Sequence, residues 1–144
     1  MKKKILLIIS VVTLFLLNTV SAVDYETNDT QIKLIINNHE TTAKMIKNPT
    51  SDEFLSLLPL NVELKDLFGR EKYAALPTKI TDNSQKTDTY SVGMLAYYEP
   101  TNSIAIYYEN DNEKIKEGII PLAIIEDVEA FKENNTNLTI ELIE

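Results

Sequence analysis

The residues best suited to bind a ligand are four tyrosines, which stand as two adjacent pairs in neighbouring apolar stretches. They are Tyr97-Tyr98 and Tyr107-Tyr108. Across a hairpin, alternate tyrosines can share a face, where their rings stack and their hydroxyls remain available to a partner. This pattern favours ordinary cross-strand packing, with a groove that grips a peptide or a small apolar ligand as the alternative.

A second candidate is the charged pair Glu71-Lys72, which follows Gly69 and Arg70. Neighbouring residues on a strand face opposite ways, so only a bulge would let both charges point inward. The favoured interpretation is a surface ion pair or two solvated charges, with ligand binding at a barrel mouth as the alternative. Arg70, the only arginine, is expected on a solvated turn.

Other kinds of chemistry find little support in the residue types. The chain has no cysteine, which excludes disulfides, thiolate nucleophiles and cysteine-bound metal. Its one histidine, His39, has no serine motif near it, so a nucleophilic triad is unsupported. Glu109, Asp111 and Glu113 alternate as calcium ligands can, but the loop lacks the glycine and glutamate of a calcium-binding loop. We therefore predict no catalytic residue, no metal and no cofactor.

The N-terminus has the order of a secretory signal. Three lysines at 2–4 precede an uncharged apolar run over 5–17, and Val20-Ser21-Ala22 supplies small residues for cleavage. We predict a signal over 1–22, a polar spacer over 23–29 and one domain over 30–144. The protein is then secreted or extracytoplasmic, or is retained by an uncleaved anchor.

Charge restricts the partners. The full chain has 14 basic and 22 acidic residues; loss of the three signal lysines leaves 11 against 22, a net charge of −11. A surface this acidic argues against nucleic acid and, after signal cleavage, against an anionic membrane. We expect a monomer.

One short helix must be positioned among many strands. Pro49 suits a first helical turn, Asn48 or Thr50 could cap it, and Pro59 disfavours helix in the residue before it. The pattern predicts a helix over 49–58 whose apolar face packs against the strands; that face consists of Phe54, Leu57 and Leu58.

The remaining pattern is mainly β. Short alternating stretches predict strands, Pro100-Thr101-Asn102 suits a hairpin turn, and Pro121 confines its strand to an edge or a bend. One helical turn is expected near 127–132. We predict a closed or nearly closed β-barrel with the helix plugging one end.

Several short motifs follow one another in an order that resembles the small prokaryotic cyclophilin-like family. They are Asn48-Pro49-Thr50, Phe54, Leu57-Leu58-Pro59-Leu60, Gly69, Glu71-Lys72, Leu76-Pro77, Gly93, Tyr97-Tyr98, Pro100 and Ile104-Ala105-Ile106-Tyr107-Tyr108. The resemblance implies a compact barrel related to cyclophilins, without an assigned activity. Two positions depart from the family pattern, Met94 after the glycine and Thr101-Asn102 after the proline.

The resulting functional prediction is an exported, non-catalytic binding module for a peptide or small ligand, with candidate ligand contacts at Glu71, Lys72, Tyr97, Tyr98, Tyr107 and Tyr108. One alternative is a peptidyl-prolyl isomerase. True cyclophilins use an arginine near the prolyl nitrogen, and here only Arg70 is available, without their phenylalanine-rich or glutamine-glycine-glycine motifs. Another alternative is a structural protein that interacts through a sheet edge.

Overall fold

The computed structural model describes residues 24–134 and 137–144. The predicted signal, residues 1–22, lies outside the described residues. Within them, the chain forms nine strands, one α-helix (α1) and two 3₁₀ turns, Glu99–Thr101 and Glu129–Lys132. The helix is α1 (Pro49–Leu55), and the strands are β1 (Thr27–Ile36), β2 (His39–Ile46), β3 (Leu60–Glu63), β4 (Lys65–Leu67), β5 (Glu71–Ala75), β6 (Met94–Tyr98), β7 (Ser103–Tyr107), β8 (Ile120–Ile125) and β9 (Asn137–Leu142).

The strands make one antiparallel sheet in the order β3-β9-β1-β2-β8-β6-β7-β5-β4. Its two end strands, β3 and β4, are separated in sequence by Leu64 alone, and β3 also lies beside β5. The sheet therefore curls into a nearly closed barrel, which confirms the predicted fold class.

The helix plugs the barrel as predicted, although it is three residues shorter. Asn48 caps it, since its Oδ1 accepts a hydrogen bond from the Ser51 amide at 2.8 Å. Phe54 is fully buried in the core, and Leu57 and Leu58 pack partly buried against it. After the helix, the amides of Ser56, Leu57 and Leu58 donate to carbonyls three residues earlier in the chain instead of four. The α-helix does not continue, because Pro59 disfavours helical geometry at the residue before it. The helix consequently ends at Leu55.

One strand boundary differs from the sequence predictions, and two other predicted features can be located in the structure. β1 begins at Thr27, which pairs with Ile46, so residues 27–29 of the predicted spacer belong to the strand. The predicted turn near 127–132 is present as the 3₁₀ turn. Pro121 does not lie on an edge strand, because β8 runs between β2 and β6; it lies at a bulge against β6, where the expected bend is found.

The apolar residues form two clusters on opposite faces of the sheet. The larger fills the barrel and includes Phe54, Tyr97 and Ile104. The smaller, here called the outer cluster, lies on the other face of β6 and β7; it consists of Tyr90, Met94, Ala96, Ala105, Tyr107 and Ile119, with Tyr25, Tyr73, Tyr98 and Ile115 packed around it. Strand alternation produces the division, since Tyr97 and Ile104 point inward while Tyr98 and Ala105 point outward.

No helix in the described part of the chain has the length and apolar character needed to cross a membrane.

Candidate functional site

A cavity of about 440 Å³ lies on the outer face of β5, β6 and β7, beside the outer cluster. One wall is the sheet, and the opposite wall is the segment 114–117, which here is called the cover segment. The residues that line the cavity are Leu67, Phe68, Arg70, Glu71, Tyr73, Tyr98, Thr101, Ser103, Ile104, Ala105, Tyr107, Lys114, Ile115, Lys116 and Glu117.

Strand register brings the polar and aromatic lining residues together. Glu71 pairs with Tyr107 across β5 and β7, and Tyr73 pairs with Ala105 two positions further along. On the other side of β7, Tyr98 pairs with Ser103. Paired positions share a face of the sheet, so one carboxylate and three tyrosines project toward the same cavity.

Arg70 joins two carboxylates at the end of the cavity. Its Nε donates to Glu71 Oε2 at 3.0 Å, and its Nη1 contacts Asp111 Oδ2 at 3.2 Å. The guanidinium also lies over the rings of Phe68 and Tyr90, 5.1 Å and 5.4 Å from their centroids. The predicted solvated turn is therefore wrong for Arg70, which is 8% exposed.

Glu71 is also buried, with 6% of its surface exposed. Burial raises its pKa, and the hydrogen bond and charge of Arg70 partly oppose that rise. The interpretation of Glu71-Lys72 as a surface ion pair or solvated charges is wrong. Glu71 pairs with Arg70 instead, since adjacent strand residues face opposite ways.

Lys72 faces away from this cavity and is 4% exposed. Its Nζ lies 3.2 Å from Asp66 Oδ1 and 5.5 Å from the centroid of the Tyr108 ring. The Tyr108 hydroxyl donates to the same Asp66 carboxylate. Burial and then Asp66 raise the pKa of Tyr108 to about 12. Lys72, Asp66 and Tyr108 thus form a separate polar group that does not line the cavity.

The adjacent tyrosines are divided between the two faces of the sheet. Tyr97 is fully buried in the barrel, and its hydroxyl donates to Asn102 Oδ1 at 2.8 Å. Tyr107 is 1% exposed and stacks on Tyr90, with ring centroids 4.2 Å apart. Of the six predicted contacts, Glu71, Tyr98 and Tyr107 line the cavity, whereas Lys72, Tyr97 and Tyr108 do not.

Several residues of the site were not identified from the sequence. Tyr73 could have been found, because it stands two residues after Glu71 on the same strand. No local sequence pattern places Asp111 or Glu117 at the site, because both lie in a loop that folds back against the sheet. The Tyr90 hydroxyl donates to Asp111, and Glu117 accepts a hydrogen bond from the Tyr98 hydroxyl.

Among the described residues, no group of three potential metal ligands lies close enough together to hold an ion. The arrangement offers a partly aromatic cavity with one buried carboxylate and several hydroxyls. Such a cavity can hold a small molecule by ring contacts and orient it by a few hydrogen bonds.

A solved structure with a similar fold is the solution structure of a hypothetical protein from the archaeon Archaeoglobus fulgidus. The TM-score is 0.59 at 13% sequence identity, and the match covers 81% of this chain and 96% of that one. At this identity the likeness shows the fold alone. No protein of curated function matches the sequence.

The family comparison covers most of the barrel. A model described as the cyclophilin-like family matches residues 34–141, from near the end of β1 to near the end of β9. This agrees with the order of motifs in the sequence and with the barrel that the strands form. The chain therefore belongs to the cyclophilin-like family.

Proposed function

We propose that the protein is an exported, non-catalytic binding module that holds a small ligand, or one side chain of a peptide, in the cavity beside the outer cluster. The observation that carries the proposal is the cavity itself, about 440 Å³ and lined by Tyr73, Tyr98 and Tyr107 with Glu71 at one end. Small-molecule sites commonly have this size and combine apolar walls with a few convergent polar groups. The signal-like N-terminus supports export.

The mouth of the cavity adds a second supporting observation. Phe68 lines it and is 76% exposed. It follows Leu67 at the turn into β5, where its φ is +57°, and its ring lies outside the core. A large exposed aromatic residue at the lip of a cavity is suited to contact a bound molecule.

A non-catalytic role is supported by how the charged groups are used. Arg70 directs Nε and Nη1 to carboxylates of its own chain, and Tyr90 donates to Asp111. These contacts stabilise the wall of the cavity. They leave the arginine engaged, whereas electrostatic catalysis needs donors aimed at the reacting atoms.

A fragment screen followed by thermal unfolding tests the proposal. A ligand that raises the melting temperature of the wild type should do so much less in Tyr98→Ala, which removes part of the wall. Leu142→Ala is the matched control, because Leu142 is 48% exposed on β9, away from the cavity. Stabilisation that is equal in both variants would place the ligand elsewhere, and no stabilised hit in a broad screen would contradict the proposal.

A peptidyl-prolyl isomerase is the second candidate, and one observation favours it: Arg70 lines an outer-face cavity of a cyclophilin-like barrel. Isomerisation of a short proline peptide is the direct assay. Turnover that is lost in both Arg70→Ala and Tyr98→Ala, but kept in Leu142→Ala, would replace the binding-module proposal with the enzyme. We expect no turnover above the uncatalysed rate.

A further inference from the structure

The cavity beside the outer cluster contains hydrogen-bond acceptors that the donors lining it do not satisfy. Glu71 accepts from Arg70 through Oε2, and no other donor to its carboxylate is found among the described residues. No hydrogen-bond partner of the Tyr107 hydroxyl is found in that part of the chain, and since no fully buried side-chain oxygen there lacks one, this hydroxyl is the accessible part of an otherwise buried ring. The hydroxyls of Tyr90, Tyr97 and Tyr108 each have one.

Glu71 and Tyr107 pair across β5 and β7, so their side chains are neighbours on the face that lines the cavity, and Tyr98 lines the same cavity. Burial raises the pKa of Tyr107, and the Glu71 carboxylate raises it further. The same carboxylate also raises the pKa of Tyr98, after burial and Glu117. The Glu71 carboxylate and the Tyr107 and Tyr98 phenols therefore all face this cavity.

The charge at this region is negative, despite the arginine. Arg70 is shared between Glu71 and Asp111, so the three side chains together carry one net negative charge. At the rim, Lys114 lies 3.3 Å from Asp88 and Glu117 stands beside Lys116 in sequence. Lys116 also lines the cavity, so its rim carries cations, and the net negative charge is confined to the group formed by Arg70, Glu71 and Asp111.

We propose that the ligand of this cavity is an organic ammonium compound with an apolar body. Its N–H donors would bind the free oxygen of Glu71 and the Tyr107 hydroxyl, and its positive charge would lie against the faces of Tyr98 and Tyr73. Its apolar body would occupy the space between the sheet and the cover segment. This inference rests on the proposed function, that the cavity binds a small ligand.

The test uses three probes that share one phenyl group: phenethylammonium, 2-phenylethanol and phenylacetate. Binding is measured by amide chemical shifts of the wild type at about pH 8, where the amine is protonated and carboxylates are ionised. We expect shifts around Tyr98 and Ala105, with phenethylammonium binding about tenfold more tightly than the alcohol and phenylacetate most weakly.

Two variants assign the preference to named groups. Glu71→Gln should remove about tenfold of the ammonium affinity while leaving the alcohol nearly unchanged. Tyr107→Phe, which keeps the stacked ring and removes only the unpartnered hydroxyl, should weaken the ammonium severalfold and covers the case in which Glu71→Gln does not fold. Tyr108→Phe is the matched control, since that hydroxyl bonds to Asp66 outside the cavity; it should change no affinity.

The outcomes separate this inference from the proposed function. If the alcohol or the carboxylate binds at the cavity as tightly as the ammonium, the cavity is a binding site but the ammonium preference is overturned. An ammonium preference that survives both Glu71→Gln and Tyr107→Phe also overturns it. If none of the three probes shifts the cavity amides, the ammonium inference fails, while the broad fragment screen decides the proposed function independently.

Discussion

At the scale of single residues, the strongest constraint on this barrel is the buried charge of Glu71. The carboxylate is 6% exposed, and Arg70 supplies its ion-pair partner from the adjacent position. Removing one partner of a buried pair leaves the other charge without compensation, which costs more than the pair contributes. Arg70 also pairs with Asp111, which lies in the loop before the cover segment. Loss of Arg70 therefore removes two ion pairs, one of which holds this loop.

We therefore predict that Arg70→Ala lowers the free energy of unfolding by about 3–5 kcal/mol. The double variant Arg70→Ala with Glu71→Gln should recover part of that loss, because it removes the uncompensated charge. Urea unfolding measures both. Lys33→Ala is the control, since the Lys33 and Glu141 side chains, 3.5 Å apart, are 34% and 41% exposed, and it should cost less than about 1 kcal/mol. A double variant no more stable than the single one would show that the Glu71 charge is not the cause.

At the scale of elements, strand alternation decides which predicted residues meet. The sequence pattern predicted the hairpin turn at Pro100-Thr101-Asn102, and it predicted that Glu71 and Lys72 face opposite ways. It did not show which face of the sheet is covered by a loop. For that reason Tyr97 and Tyr107 were equal candidates, although one fills the barrel and the other lines the cavity.

Asp111 and Glu117 were missed because the position of their segment depends on long-range contacts. The segment 109–119 is held against 87–90 by the pairing of Thr87 with Ile119 and by the Ile115 amide, which donates to the Asp88 carbonyl at 2.9 Å. Neither segment has a strand or helix period that would predict this pairing. Loops with no such period cannot be placed from local propensity, so the cover segment and Asp111 were beyond the sequence pattern.

The start of β6 depends on Gly93, where two strands approach closely. Its φ is +96°, its amide donates to the Tyr107 carbonyl, and a Cβ would lie 3.0 Å from the Ile125 carbonyl oxygen. That oxygen belongs to the backbone of β8 and cannot rotate away. A side chain at this position therefore meets both an unfavourable φ and a fixed neighbour.

We expect Gly93→Ala to lower the free energy of unfolding by more than about 2 kcal/mol. Gly69→Ala is the matched comparison, because Gly69 has a φ of +64° and no atom within 4 Å of its added Cβ. That variant should cost only about 1 kcal/mol, the penalty for the left-handed conformation alone. Thermal unfolding of the two variants side by side makes the measurement. Equal losses would mean that the contact with Ile125 relaxes freely.

At the scale of the whole molecule, the barrel buries tyrosines on both of its faces. The pKa is raised for six of them, mainly by burial: Tyr25, Tyr90, Tyr97, Tyr98, Tyr107 and Tyr108. The tyrosines of both clusters therefore make the folded chain less stable at high pH. The sequence showed how many tyrosines the strands carry, but only the double-sided packing explains why nearly all of them are sheltered.

This packing predicts a cooperative alkaline transition. A phenol whose pKa is raised in the folded chain favours its protonated form there, so its contribution to stability is complete below about pH 10 and is lost as the pH rises toward the folded-state pKa, about 12 for Tyr108. Tyrosinate absorbance should therefore rise together with loss of the β-sheet circular dichroism signal, whereas the chain in urea should ionise near pH 10 without a transition. Each sheltered phenol steepens the loss by about 1.4 kcal/mol per pH unit, so Tyr108→Phe should flatten it. Ionisation of most tyrosines near pH 10, with the sheet signal intact, would contradict the prediction.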